Sequence, residues 1–242
     1  MTATPFSLWV YLAERPLTWL TLTLVGYAVA DRIAERSGRH PLANPVLIAA
    51  ALIGTVLTVT GTPYPVYFDG AQFVHFLLGP ATVALAVPLY RHRAEVQSAF
   101  VPMLLALVAG SLVTLVSAVG VLAAFGVPRA VVAAMAPKAV TAAIAMAVSG
   151  NLGGDAALTA VLVVLTGVFG AIVALPLLAW LKLGDERARG FATGLAAHGI
   201  GTARAFQSSA LAGAFAAIAM ALNAILTALA APLVFRLFGW QG

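Results

Sequence analysis

The sequence predicts an all-α integral membrane protein of about seven or eight hydrophobic segments, two of them discontinuous, and three observations carry that expectation. Hydrophobic residues make up 62% of the chain. Charged residues make up only 9%, where a soluble domain carries about 25%. The apolar residues fall in runs near the roughly 20 needed for a helix to cross a bilayer. Seven or eight such segments leave no room in 242 residues for a soluble domain of useful size, so 1–242 reads as a single transmembrane domain.

The elements follow in order. Residues 6–12, with Trp9 and Tyr11, form a short amphipathic entry suited to a membrane interface. Glu14 and Arg15 come too early for a cleavable signal peptide, and no small-residue cleavage site follows an apolar core. A first span at about 16–30 ends in a basic cluster of Arg32, Arg36 and Arg39. A second covers about 45–61, and an aromatic loop with Tyr64, Tyr67, Phe68 and Asp69 follows. A third, at about 72–89, carries Gly79-Pro80, where proline removes a backbone donor and breaks or kinks a helix. Arg91 and Arg93 close it. The fourth, at about 100–125, is long enough to tilt, and Gly126 and Pro128 end it.

The next stretch, 133–150, is apolar but holds Pro137-Lys138. Lysine at bilayer depth costs about 2.5–3.5 kcal/mol on insertion scales. A charge beside a helix breaker predicts a discontinuous helix whose opened backbone faces a polar cavity. A span at about 156–181 leads to Lys182, Arg187 and Arg189. Residues 190–209 then hold His198, Arg204 and several glycines, and a last span at about 211–235 ends near Arg236 and Trp240.

Loop charge constrains the topology. Basic loops stay cytoplasmic, yet simple alternation of full crossings puts Lys182, Arg187 and Arg189 outside. A segment that enters and leaves on one face removes the conflict. The Pro137 stretch is the candidate, and a broken helix that crosses is the rival. A short echo between 79–88 and 136–145, with matching proline and valine positions, raises an inverted repeat.

The cations within these segments outnumber the anions. Lys138 and Arg204 lie in apolar surroundings, while the acids sit in basic clusters or at segment ends. Buried charge needs a partner, so the simplest missing partner is an anionic ligand. The turn after Pro137 starts a helix with free N–H groups, and Thr141 adds a hydroxyl. Gly199 and Gly201 let backbone approach a ligand, Thr202 is a donor or cap, and Arg204 offers a planar fork for carboxylate. These six residues form the expected substrate site. His198 is the candidate for gating or proton transfer, since imidazole titrates near neutrality.

Each of these residues also has a structural reading. Lys138 and Arg204 can snorkel to an interface, His198 can be a hydrogen-bonded packing residue, and the glycines can serve helix packing. Asp155 suits an N-cap and Asn223 an interhelical hydrogen bond.

Enzyme signatures do not occur: there is no H-E-x-x-H, G-x-S-x-G or Walker loop. Neither an enzyme, a cofactor nor a metal site is expected. With no cysteine, thiolate sites and disulfides are excluded. The net charge of +5 belongs to loop arginines and not to nucleic-acid binding.

The runs PKAVTAAIAMAVSGNLGGDAALTAVLVVLTGVFGA and GLAAHGIGTARA, with LLGPATVALAVPLY, resemble the LrgB/CidB family of bacterial membrane proteins. The resemblance extends from about residue 40 onward. It departs from the usual pattern at Ala139, where serine is common, at Ala142-Ala143, where Thr-Pro is common, and at Ala147, where glutamate is frequent. It implies a multi-pass protein of the bacterial cell membrane and a homo-oligomer, with an LrgA/CidA-like membrane subunit as a partner. Two functions follow from it. One is transport of small carboxylates such as pyruvate, glycolate or glycerate, as in the related plastid envelope transporter. The other is antiholin-like control of murein hydrolase export and autolysis. The cations at broken helices favour the first.

Overall fold

The computed structural model describes residues 15–40 and 42–240, and the expected entry at 6–12 lies outside them. The described chain is helical and divides into two compact units, one up to Ala84 and one from Leu85 to Gly242. Four helical runs are long and apolar enough to cross a membrane: Tyr64–Arg91, Phe100–Ala124, Ala156–Trp180 and Ala210–Leu237. This is an integral membrane protein.

The first unit holds α1 (Pro16–Arg36), α2 (Pro45–Thr60), α3 (Tyr64–Phe76) and α4 (Leu78–Ala84). Proline starts α1 and α2, where its missing N–H costs nothing. The Asn44 side chain caps α2 by accepting from the N–H groups of Val46 and Leu47. Gly61 ends it at φ 64°. Trp19 is wholly buried, and α3 crosses α1 so closely that a Cβ on Gly70 would meet the Pro16 carbonyl. The run from Tyr64 is interrupted at Leu77, so Pro80 falls in the first turn of α4, and the break precedes it.

The second unit holds α5 (Ala86–Arg91), α6 (Arg93–Ser98), α7 (Phe100–Ala124), α8 (Arg129–Met135), α9 (Ala142–Asn151), α10 (Ala156–Trp180), α11 (Glu186–Ser208) and α12 (Ala210–Leu237). Its centre is α12, an alanine-rich helix whose small side chains let neighbours approach. Met103 and Leu107 of α7 pack with Phe215 and Ala219 near the start of α12. Leu115 and Val119 pack with Ala231, Val234 and Phe235 near its end. The two helices are therefore parallel.

Two stretches of this unit fold back on themselves. A straight helix over 186–208 would put its ends about 34 Å apart. Instead the Ser209 hydroxyl donates to the Glu186 carboxylate at 2.7 Å. Gly190 and Gly194 face the carbonyls of Ala212 and Ala216, so the incoming arm runs parallel to α12. Gly199 and Thr202 then meet Met220, and Phe206 covers Gly213, so the returning arm runs antiparallel. The reversal falls at Ala197 and His198, whose φ/ψ values are −127°/16° and 41°/−134°. The second reversal lies between α8 and α9. Val132 and Ala133 pack with Val148 and Leu152, although a continuous helix would separate them by more than about 20 Å.

The two hairpins reach α12 from opposite ends. The base of the first (129–151) lies among Ala230, Ala231, Val234 and Phe235. The base of the second (186–208) lies at Ser209 and Ala212.

Candidate functional site

The first tip, unlike the second, is made where a residue cannot continue a helix. In the first, Ala136 takes the last helical bond, to Val132, and Pro137 lacks an N–H to carry the helix on. Lys138 N–H turns back to Met135 O at 3.1 Å, and Val140 N–H to Pro137 O at 3.2 Å. Thr141 is the N-cap of α9, with extended backbone and no side-chain cap bond. The first-turn N–H groups of α9 have no partner among the described residues. Ala143 and Ile144 of that turn are exposed, Thr141 and Lys138 are half-buried, and Pro137, Ala139 and Val140 are buried.

In the second tip, His198 takes a φ that side chains rarely adopt. Its ring is held by α10. Nε2 lies 3.0 Å from Val163 O, and because a carbonyl only accepts, Nε2 carries the proton and donates. A Cβ on Gly167 would strike this ring, and one on Gly170 would strike Ala197. The glycines of α10 thus form the seat on which the tip rests. Thr202 donates to His198 O at 2.8 Å.

Breaking two helices inside a protein leaves carbonyls without their usual donors, and buried orphans are costly. Asn223, near the middle of α12 and 1% exposed, satisfies one from each tip. Its Nδ2 donates to Ala139 O and to Leu195 O, both at 3.1 Å. Its Oδ1 accepts from the Ser111 hydroxyl of α7 at 2.6 Å and from Thr227 at 3.2 Å. The two carbonyls fix the amide orientation, since neither can donate. Val140, Val163 and Ala224 close the apolar side of the junction.

The charges follow the same geometry. The acids of this unit are engaged at helix ends. Asp155 caps α10 through Leu158 N–H. Glu95 pairs with His92, and Asp185 caps α11 through Arg187 N–H and pairs with the Arg187 guanidinium. Those hydrogen bonds from Arg187 hold the Asp185 carboxyl below the ordinary carboxylate range. Among the described residues Lys138 has no ion-pair partner, and no cluster of three metal-ligating groups occurs.

The family model described as LrgB-like matches residues 23–237. The chain is a member of the LrgB family. It is 33% identical over 213 residues to the uncharacterized protein YwbG of Bacillus subtilis, covering 88% of this chain and 94% of that protein. It is 32% identical over 219 residues to the holin-like protein CidB of Staphylococcus epidermidis, covering 90% and 95%. The CidB of Staphylococcus aureus is 31% identical over 222 residues, covering 92% and 96%. No solved structure matches.

The residues singled out in this LrgB-family sequence fall into two groups. Lys138 and Thr141 lie at the first tip, and His198, Gly199 and Thr202 at the second. Gly199 is exposed, and a Cβ there would meet only Met220 Sδ at 3.9 Å. Gly201 and Arg204 stand apart. Gly201 packs against Thr193 O and Ala197, where the two arms touch. Arg204 lies on the returning arm, half-buried, and donates to Gln207 Oε1 at 3.0 Å. From the sequence alone Asn223 suits an interhelical hydrogen bond and nothing more specific. Its larger part has one signal in the sequence, a single amide midway along a largely apolar helix.

Proposed function

We propose that this protein carries small monocarboxylates across the bacterial cell membrane, with the anion held between the two hairpin tips. The observation that supports this most directly is Lys138: a half-buried cation at the break between α8 and α9, with no acidic partner among the described residues, beside the unused N–H groups of α9. An N-terminal helix turn and an ammonium together suit a single negative charge. Thr141 and the open backbone at Gly199 supply further polar contacts, and Thr202 supports the second tip. Arg204 adds positive potential from the returning arm, and His198 keeps the second tip seated. The relatively apolar surroundings favour a substrate with a short carbon chain.

In this reading α7, α10 and α12 cross the bilayer, and the hairpins 129–151 and 186–208 enter from opposite faces. The helix-plus-hairpin pair 100–151 recurs as 156–208 in inverted sense, the arrangement that places a transporter site near the midplane. Arg91, Arg93, Lys182, Arg187 and Arg189 then share the cytoplasmic face.

Uptake of radiolabelled pyruvate and glycolate into proteoliposomes tests the reading. Saturable uptake is expected, and Lys138→Ala should lower kcat/KM by at least a hundredfold, while Lys138→Arg keeps part of it. Saturable uptake that survives Lys138→Ala unchanged would defeat the site.

A second reading draws on the relatives named holin-like: a membrane subunit that governs murein hydrolase activity, working with an LrgA/CidA-type partner. It predicts no flux of any small carboxylate, with or without that partner, and altered autolysis when the gene is removed.

A further inference from the structure

The proposed function needs the two tips to stay in one relation, and the structure contains a group suited to impose it. Ala139 O and Leu195 O belong to hairpins that enter α12 from opposite ends, yet both lie 3.1 Å from the same nitrogen. Each is a carbonyl set free by a helix break. Leu195 O would bond to the N–H of residue 199 in an unbroken helix, and the turn at Ala197-His198 removes that donor. Ala139 O lies in the unwound segment before Thr141. One carboxamide therefore replaces a lost backbone donor in each hairpin.

The amide is itself held. Rotating it by half a turn would set Oδ1 against two carbonyl oxygens and Nδ2 against the hydroxyls of Ser111 and Thr227. Ser111 lies on α7, which belongs to neither hairpin. Two helices, α7 and α12, and both tips thus meet in four hydrogen bonds around one buried side chain.

We propose that Asn223 is the positioning residue that sets the tips against each other, so that the anion site is formed by both hairpins jointly and by neither alone. Ser111 holds Asn223 in the working orientation. This rests on the carboxylate reading for the identity of the anion, but the joint itself does not depend on it.

The test uses the full chain in nanodiscs and compares Asn223→Ala, Asn223→Asp and Ser111→Ala with the parent. Hydrogen–deuterium exchange is followed in peptides covering 136–145 and 194–203. Asn223→Ala should raise exchange at least tenfold in both regions together, with the middle of α10 unchanged. Asn223→Asp, which keeps the shape and loses the donors, should do the same. Ser111→Ala is the mild variant and should raise both by a smaller, matched factor while leaving the fold intact. A rise confined to one tip, or no rise in a folded Ser111→Ala and Asn223→Asp pair, overturns the joint.

Transport supplies the functional arm. Ser111→Ala should raise KM for the carboxylate about tenfold with kcat within twofold, because the site is loosened and no group that touches the anion is removed. A fall in kcat at unchanged KM would overturn the positioning role. If the parent moves no carboxylate, the carboxylate reading fails while the exchange experiment still decides the joint.

Discussion

The two hairpins reverse by different means. The first opens its backbone over residues 136–141, using a proline that cannot donate and a lysine that resists burial. The second reverses at two residues and forces His198 to φ 41°. The first has a loose, polar tip and arms joined by ordinary apolar packing through Val132, Val148 and Leu152. The second has a tight tip and arms pressed onto the α12 backbone through Gly190 and Gly194. The first carries a charge, Lys138, at its tip, and the second carries the closer packing. In the proposed reading the first tip binds the anion, which calls for unused donors and so for open backbone. A tip built by backbone strain has to be anchored, which the seat on Gly167 and Gly170 provides.

That contrast can be broken most sharply at the level of topology. The native chain has no cysteine, so single-cysteine variants report cleanly. Cysteines at Phe125 and Asn151 should label from one face, and cysteines at Gly184 and Ser208 from the other, in an all-or-none pattern with an impermeant maleimide. Opposite labelling of Phe125 and Asn151 would make the first hairpin a crossing helix. Packing gives the next largest effect. Gly194→Val places a side chain against the Ala216 carbonyl and should cost about 3 kcal/mol or more, the upper end of overpacking. Gly150→Val, on the first hairpin with open space around it, should shift the melting temperature far less. Comparing the two by fluorescence-detected thermal melts measures how unequal the hairpins are.

The smallest effect sharpens the account of the second tip. His198→Ala keeps the unfavourable φ and loses the bond to Val163 O. His198→Gly loses the same bond but relieves the strain, which is worth on the order of 1–3 kcal/mol. The glycine variant should therefore melt above the alanine variant. The reverse order would mean that the ring, and not the backbone, sets the shape of the turn.

Much of this was legible in the residues. The membrane class followed from composition, and Pro137 marked the interruption between α8 and α9 because proline cannot carry a helix on, while the charge of Lys138 disfavours burial. The break at 197–198 carried less signal. Its residues, Ala-His-Gly, contain no proline, and the reversal depends on Gly167 and Gly170 of another helix making room. Long-range complementarity of that kind leaves no local pattern. The role of Asn223 was hidden for the same reason, since its partners are separated from it by up to 112 residues. Gly201 shows the converse: the HGIGTAR pattern reads as a ligand loop, while the Cβ space of this glycine is taken up by the opposing arm.

Between Ser208, the last residue of α11, and Ala210, the first of α12, stands Ser209 alone, tied to Glu186 by its hydroxyl. So short a hinge leaves no slack. A tilt of the second hairpin must pull the start of α12 with it, and α12 carries the amide that grips the opposite tip. Displacement at the surface near Glu186 would thus pass along α12 to its middle, and through Asn223 to the segment that carries Lys138.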